Sequence, residues 1–408
     1  MKPVHVVFAA PFFLDTTVRF IRSAVELPGV RLSLVSQDPV ERLPADVRHR
    51  LAQFYRVQDG LDPQQLADAT RFFGSRLGAP HRLIGALEQL QVPLGEVRDA
   101  LGIEGMSAAV ARNFRDKATM KTVLSAAGIP CARHRLCSSL TEAVAFAREV
   151  GYPLVVKPPA GAGTVATYQV GHQADLEGAV NSHHPSAERP VLVEEFMTGD
   201  EHSFEVVSIH GKPVWYSLTQ YQPAPLDVMR NPWIQWCVLL PRETDHPQWD
   251  AVKKVGFATN TALGMGTGLT HMEWFRRKDG SAVVSEIGAR PPGAQIVSLN
   301  SYANDFDLYR AWAKLVIHDE FDPPTQKYAA GAAFFRGQGN GQVVRVEGVD
   351  EAQKEIGHLV VEARLPRPGQ RRSSSYEGEG YAIVRHPDTA VVQDALHRMV
   401  RRIRVITA

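Results

Sequence analysis

The sequence is poor in cysteine, in net charge and in long apolar runs. Its three cysteines, Cys131, Cys137 and Cys237, are too sparse for a disulfide framework and form no C-x-x-C pair, which predicts a reducing, cytoplasmic location. Lys and Arg number 45 against 44 Asp and Glu, so no net field recruits nucleic acid or anionic lipid. No segment approaches ~18 apolar residues without a charge, so we expect no membrane-spanning helix.

The chain has the length of a protein with several domains and the proportions of hydrophobic and charged residues of a globular one. At ~150 residues per domain, the 408 residues predict two or three compact units. Its 44% hydrophobic and 22% charged residues are ordinary for a folded protein rather than a disordered one.

The first hundred residues have the pattern of a β-α-β unit of Rossmann type. Strand-like runs at 4–10 and 30–36 flank a helix-like segment at 17–27. No G-x-G-x-x-G follows the first strand, so the dinucleotide-binding fingerprint is missing. A helical pattern covers 83–101, and we place a domain boundary near residue 105.

Beyond this boundary, capping signals and apolar periodicity predict both helices and strands. Helices are predicted at 116–127, 140–150, 305–318 and 389–402. Strands are predicted at 153–157, 165–170, 191–196, 203–209 and 214–219, with a pair within 269–288.

That pair of strands carries two glutamates that the pattern places opposite each other. The runs are joined across Asp279-Gly280, a strong two-residue hairpin signal, and a tight turn there puts Glu273 directly across from Glu286. Like charges at opposed positions are destabilising unless a cation neutralises them. Mg²⁺ beside phosphates is the usual hard cation with oxygen ligands, although a solvent-facing hairpin is the alternative.

Three further residues fall on the same strip of the hairpin. The period of two puts His271 on the face of Glu273, with Gly288 opposite His271. Arg290 lies on this face again, one step further along. A metal site, a cationic side chain and the open space left by a glycine therefore converge.

A buried strand ends at Lys157 and leads into a loop with Gly161 and Gly163. Glycines let backbone N–H groups approach anionic oxygens, and the lysine supplies a point charge, so the loop is a candidate phosphate site. It does not match G-x-x-x-x-G-K-[ST], which excludes a Walker-type NTPase. A plain turn is the other interpretation.

A later strand ends in acidic residues, Glu194 and Glu195, and Glu201 follows beyond a turn. Backbone amides at such an edge can bind a base, and a carboxylate past the turn can accept ribose hydroxyls. Acidic residues at strand ends are also common solvated caps, so the segment alone is ambiguous.

Taken in order, these segments resemble the ATP-grasp superfamily. The matching segments are Arg115-Asp116-Lys117, Ala126 to Pro130, Tyr152 to Pro158 with its loop, Glu194 to Glu201, Gly268 to Glu273 and Glu286 to Arg290. Within the superfamily the chain looks most like ATP-dependent carboxylate–amine ligases of the L-amino acid ligase type.

The resemblance implies an α/β (α+β) ATP-grasp fold in three parts. An N-terminal Rossmann-like pre-ATP-grasp domain would occupy 1–105. The ATP-grasp domain would occupy 106–325, with a lid subdomain at about 131–197. A C-terminal α+β subdomain at 326–408 would complete the core.

The resemblance also assigns roles to residues. It implies that ATP is held by Lys117, Lys157, Gly161, Gly163, Thr164, Glu194, Glu195, Phe196, Met197 and Glu201. It implies Mg²⁺, or Mn²⁺ as a substitute, on Glu273 and Glu286, and catalytic roles for Arg290 and His271. The expected reaction joins a small carboxylate and an amine through an acyl phosphate, in a chain that could form a homodimer.

Two departures from the family pattern bear on the expected metal ligands and on the type of ligase. Gly288 stands where many relatives have a metal-binding asparagine, so a second Mg²⁺ would rely on shared glutamates and phosphate oxygens. His271 stands where D-alanine ligase-like members have arginine. The alternatives are a biotin-carboxylase-like enzyme, a formyl-phosphate ligase, and a nucleotide-binding regulator without turnover.

Overall fold

The computed structural model of the chain describes residues 3–159, 167–231, 233–373 and 375–408. Within these residues helices and strands are mixed along the whole chain, and the strands form four sheets. The predicted α/β class is confirmed.

The N-terminal unit is a parallel sheet of described strands in the order β3-β2-β1-β4. Its elements are β1 (Val4–Ala9), α1 (Asp15–Val25), β2 (Val30–Ser36), α2 (Ala45–Arg48), β3 (Gln53–Arg56), α3 (Pro63–Leu77), β4 (Arg82–Ile84) and α4 (Gln91–Leu101). The helix predicted over 83–101 is wrong in its first part, because 82–84 pair with β1 as a buried strand. A short apolar run fits a buried strand and a buried helix equally well, so periodicity could not separate them.

The next unit is a smaller sheet in the order β5-β8-β6-β7, with helices around it. Its elements are α5 (Ala108–Arg115), α6 (Lys117–Ala126), β5 (His134–Cys137), α7 (Leu140–Val150), β6 (Leu154–Lys157), β7 (Tyr168–Val170), α8 (Gln173–His183) and β8 (Val191–Glu195). Ser139 caps α7 by accepting from the Glu142 amide, and α7 has the predicted bounds.

The largest sheet runs β13-β12-β9-β10-β11-β14-β18-β17 through the described part of the chain, and a small sheet, β15-β19-β16, lies beside it. The elements are β9 (Asp200–Ile209), β10 (Lys212–Gln222), α9 (Pro225–Arg230), β11 (Trp236–Leu240), α10 (Asp250–Leu263), β12 (Gly268–Arg276), β13 (Ala282–Gly288), α11 (Ile296–Asn304), α12 (Leu308–His318), β14 (Ala329–Phe335), β15 (Gly337–Gln338), β16 (Val343–Glu347), α13 (Val349–Ile356), β17 (Val360–Arg364), β18 (Gly380–His386), α14 (Thr389–Arg402) and β19 (Arg404–Thr407).

One apolar cluster joins the N-terminal unit to the central part of the chain. Phe8 and Phe20 pack against Trp312 of α12, and Val207 of β9 belongs to the same buried cluster. The N-terminal sheet is thus fixed against the large sheet, although the predicted boundaries near 105 and 325 remain predictions.

Among the described residues, no helix has both the length and the apolar character needed to cross a bilayer.

Candidate active site

The hairpin of β12 and β13 brings Glu273 and Glu286 directly opposite each other. The predicted two-residue turn is wrong, because the Arg277 amide donates to the Ser281 carbonyl (2.9 Å) around a three-residue loop. A bulge at Ser285 adds one residue to β13 and compensates for the longer loop. Glu273 and Glu286 are therefore paired as predicted, because the extra residue in the loop and the extra residue in β13 offset each other.

Lysines from two elements face this carboxylate pair. Lys117, at the first position of α6, forms an ion pair with Glu286. Burial alone would lower the pKa of Lys117, but the charge of Glu286 raises it. Burial would likewise raise the pKa of Glu286, and Lys117 followed by Lys157 lowers it instead. Both shifts favour the ionised forms of Lys117 and Glu286 although the two side chains are buried.

Glu194 is buried between two lysines. Its Oε1 pairs with Lys157 at the end of β6, and its Oε2 lies 3.3 Å from the Nζ of Lys121. Despite this proximity, Oε2 makes no hydrogen bond of standard geometry among the described residues. An acceptor that faces an ammonium without forming a well-aligned hydrogen bond can still accept one from a ligand, such as the amino group of adenine.

Negative charge exceeds positive charge where Glu201 meets the hairpin. Burial, and then the charges of Glu273 and Glu286, raise the pKa of Glu201 well above its ordinary value. Among the described residues no group of three His, Cys, Asp or Glu side chains forms a complete metal cluster. Two carboxylates still fit Mg²⁺, which usually takes one or two from protein and the rest from water and phosphate oxygens.

His271 is held between two acids. Its Nδ1 lies 2.8 Å from Glu205 Oε1, and its Nε2 lies 3.7 Å from Glu273 Oε1. Burial would lower the pKa of His271, but the hydrogen bonds to these two carboxylates raise it. The direction of this shift favours the protonated imidazole next to Glu273.

Arg290 is fixed by a residue from the N-terminal unit. Its Nε and Nη2 lie 3.0 and 2.9 Å from Glu88 Oε2, and Arg115 lies 3.4 Å from the other oxygen of Glu88. A Cβ at Gly288 would stand 3.7 Å from the Glu88 carboxylate, an ordinary van der Waals distance, so this arrangement does not itself require a glycine.

Two cavities meet at the carboxylate pair. The first cavity is lined by nine of the predicted residues, Lys117, Lys157, Glu194, Glu195, Phe196, Met197, Glu201, Glu273 and Glu286. The second cavity is lined by both glutamates together with His271, Arg290, Glu88 and an aromatic wall. Gly161, Gly163 and Thr164 lie outside the described residues.

A larger cleft of about 340 Å³ lies between the N-terminal unit and the central helices. Its Arg82 is neutralised by Glu104 at 2.8 Å and Asp319 at 2.7 Å. Arg290 is the one predicted site residue along the described lining of this cleft. The described lining of the cleft therefore contains none of the predicted nucleotide or metal ligands.

Sequence reasoning missed three residues that hold the site together: Lys121, Glu205 and Glu88. Lys121 could have been found, because it lies four residues after Lys117 on the same face of α6. Glu205 becomes visible only once β9 is paired with β12. No sequence signal links Glu88 to Arg290, since about two hundred positions separate them.

Comparison with known proteins finds matches to this chain in both sequence and structure. A family profile, the ATP-binding domain of the carbamoyl-phosphate synthase L chain, matches residues 116–210. An uncharacterized protein, y4rH, of Sinorhizobium fredii is 27% identical over 81% of this chain and 69% of its own. The L-arginine-specific L-amino acid ligase of Bacillus subtilis is 23% identical, covering 74% of each chain.

The fold agrees as well. The crystal structure of an L-amino acid ligase from Bacillus licheniformis superposes with a TM-score of 0.80 at 18% identity, covering 100% of both chains. Residues 116–210 thus match an ATP-binding domain of the ATP-grasp type, the chain has the fold of an L-amino acid ligase, and its relatives include ATP-dependent carbon–nitrogen ligases.

Proposed function

We propose that the chain is a carboxylate–amine ligase that forms an amide or peptide bond, with an amino acid as one substrate. The observation that carries the proposal is the opposed pair Glu273 and Glu286, which lines both cavities. ATP bound in the first cavity and a carboxylate bound in the second would meet there. The likeness to L-amino acid ligases supports this choice of reaction.

In the first step, a carboxylate oxygen of the substrate attacks the γ-phosphorus of ATP. A new O–P bond forms, the bond to the β–γ bridging oxygen breaks, and ADP leaves. Lys117 and Lys157 line the first cavity and would face the phosphates, and Arg290 lines the second and would face the transferred phosphoryl group. Phosphoryl transfer needs mainly positioning and charge neutralisation, which these cations supply.

Mg²⁺ bound between Glu273 and Glu286 would neutralise the phosphate oxygens, and Mn²⁺ would replace it. The chain prepares this position in advance. His271, which is held by Glu205, lies beside Glu273, and Lys117 forms an ion pair with Glu286.

In the second step, the amine nitrogen attacks the carbonyl carbon of the acyl phosphate. The C–N bond forms, the C–O bond to phosphate breaks, and the nitrogen gives up a proton to the departing phosphate. Acyl phosphates react with water, so the site must exclude it. The burial of Lys117, Lys157 and His271 shows how little solvent reaches these walls.

The test is phosphate release by the purified chain with ATP and Mg²⁺ against pools of carboxylic acids and amines. We expect release that needs both an acid and an amine, and a product lighter than their sum by one water. Measurable ATP binding with no release in any pool would contradict the ligase and favour a nucleotide-binding regulator.

A further inference from the structure

We infer that the second cavity binds the side chain of the carboxylate substrate and selects a small, uncharged, aliphatic one. This inference rests on the proposed function, because it takes the acid to be activated at Glu273 and Glu286. It goes further by naming the class of acid.

The lining of the second cavity falls into two sets of residues. The charged set is linked internally, through the Arg290–Glu88 pair and the contact of His271 with Glu273. The other set is Tyr221, Pro225, Met229, Trp236, Gly293, Ala294, Ile296 and Tyr376. It contains no Asp, Glu, Lys, Arg or His among the described lining residues.

The aromatic residues of this uncharged set form a preformed wall, and we call the part of the cavity beside them its uncharged end. Trp236 stacks on Phe334 with ring centroids 4.8 Å apart, and its indole N–H donates to the Tyr376 carbonyl at 2.7 Å. The rings of Trp236 and Tyr376 meet edge to face at 5.6 Å, and Tyr221 lies 6.0 Å from Trp236. A side chain fixed on several sides does not move aside for a larger substrate.

The space inside the wall is small. The second cavity measures about 70 Å³, whereas a cavity that holds benzene has ~150 Å³. Gly293 contributes to this limit, because a Cβ there would lie 2.6 Å from the Tyr376 hydroxyl. The glycine lets Tyr376 close over the cavity, which leaves room for a side chain of roughly two to four carbons.

Charge excludes a second group of substrates. An aspartate side chain would be buried beside the carboxylates of Glu88, Glu273 and Glu286, which is costly, and the small volume of the cavity leaves no room for lysine or arginine. An aliphatic side chain replaces water against Met229, Trp236 and Ile296 and is favoured by apolar burial.

The experiment measures kcat/KM for a panel of L-amino acids as carboxylate donors. The acceptor is an amino acid amide, which has no free carboxylate, so the donor is unambiguous in the product. For the full chain we expect valine, leucine and isoleucine to exceed tryptophan, arginine and aspartate by at least ~10-fold.

A variant links the preference to the cavity. Met229→Ala enlarges the uncharged end and should raise the ratio of kcat/KM for phenylalanine over valine at least ~10-fold. Leu136→Ala, an exposed truncation outside both cavities, should leave the ratio within about twofold.

The outcomes separate the inference from the function it rests on. Turnover led by a charged or indole donor, or a ratio unchanged in Met229→Ala, would overturn the inference and leave the ligase standing. Phosphate release with no donor at all would overturn the proposed function and the inference with it.

Discussion

At the scale of the residue, the site concentrates acids that are stable only because cations lie against them. Glu286 depends on Lys117, and Glu194 depends on Lys157 and Lys121. Removing one charge from such a set changes the electrostatics strongly and the volume little.

Glu286→Gln tests the role of that charge. We expect phosphate release to fall at least ~100-fold while the fold survives, because the amide keeps the shape and loses the negative charge. Release is measured with ATP, Mg²⁺ and an active substrate pair, and folding by circular dichroism. Glu41→Gln at an exposed position is the matched control. Release at the wild-type rate from Glu286→Gln would remove Glu286 from the metal site.

His202 makes the stability of the fold sensitive to acid. It is stacked on Trp274 at 4.9 Å, and burial lowers its pKa to about 4, with Asp200 and Arg276 as charged neighbours. The unfolded chain binds a proton on this residue near pH 6.5, before the folded chain does. Its contribution to stability is therefore complete above pH 6.5 and is lost as the pH falls towards 4.

His202→Phe removes this titration and keeps the stacking on Trp274. We expect the variant to gain stability relative to the wild-type chain as the pH falls from 6.5 to 4, by up to ~3 kcal/mol. Urea unfolding at several pH values measures the difference. Parallel pH profiles for the two chains would contradict it.

At the scale of the element, helix α6 contacts the hairpin of β12 and β13 through the side chain of Lys121. Lys121 is 1% exposed, and its Nζ donates to the Ser285 carbonyl at 2.7 Å, at the bulge that restores the register of the two glutamates. The same nitrogen lies beside Glu194, so one lysine connects the bulge to the strand that orients Lys157. We assign it a positioning role.

Lys121→Met removes both contacts. We expect kcat/KM for ATP to fall at least ~10-fold and the free energy of unfolding to fall by about 2 kcal/mol. The control inserts one glycine after Asp279, which lengthens the exposed loop and leaves the bulge intact. The inserted chain should keep its ATP kinetics within about twofold. Equal losses in both chains would show that the loop, rather than the bulge, sets the site.

At the scale of the whole molecule, the N-terminal unit is part of both the core and the site. It supplies Glu88 to Arg290, and it shares an apolar cluster with α12 through Phe8, Phe20 and Trp312. Trp312 is 3% exposed and packs on Phe20 at 4.8 Å. Loosening this cluster should therefore affect stability and activity together.

Trp312→Ala tests this coupling. We expect a loss of ~3 to 5 kcal/mol in stability, as for other large core truncations, with reduced ligase activity because Glu88 loses its support. Chemical unfolding and phosphate release measure the two effects. Trp233→Ala, at a residue 58% exposed, should change stability by less than ~0.5 kcal/mol. Full activity in a strongly destabilised Trp312→Ala chain would contradict the coupling.

Local patterns determined much of this molecule. Helical periodicity, together with a capping box for α7, predicted α7 and α14 with their bounds, because these signals depend on residues a few positions apart. The same reasoning placed Glu273 opposite Glu286. It missed several helices, α3, α10, α11 and α13 among them, and it took 83–84 for part of a helix, since burial by distant strands decides such segments.

What only the tertiary structure decided is how the charges are held. The bulge at Ser285, the bridge of Glu194 between Lys121 and Lys157, and the Glu88–Arg290 pair all join segments far apart in the chain. Residue types and spacing revealed which groups could bind a nucleotide and a metal. Their partners depend on contacts between elements, which no local periodicity encodes.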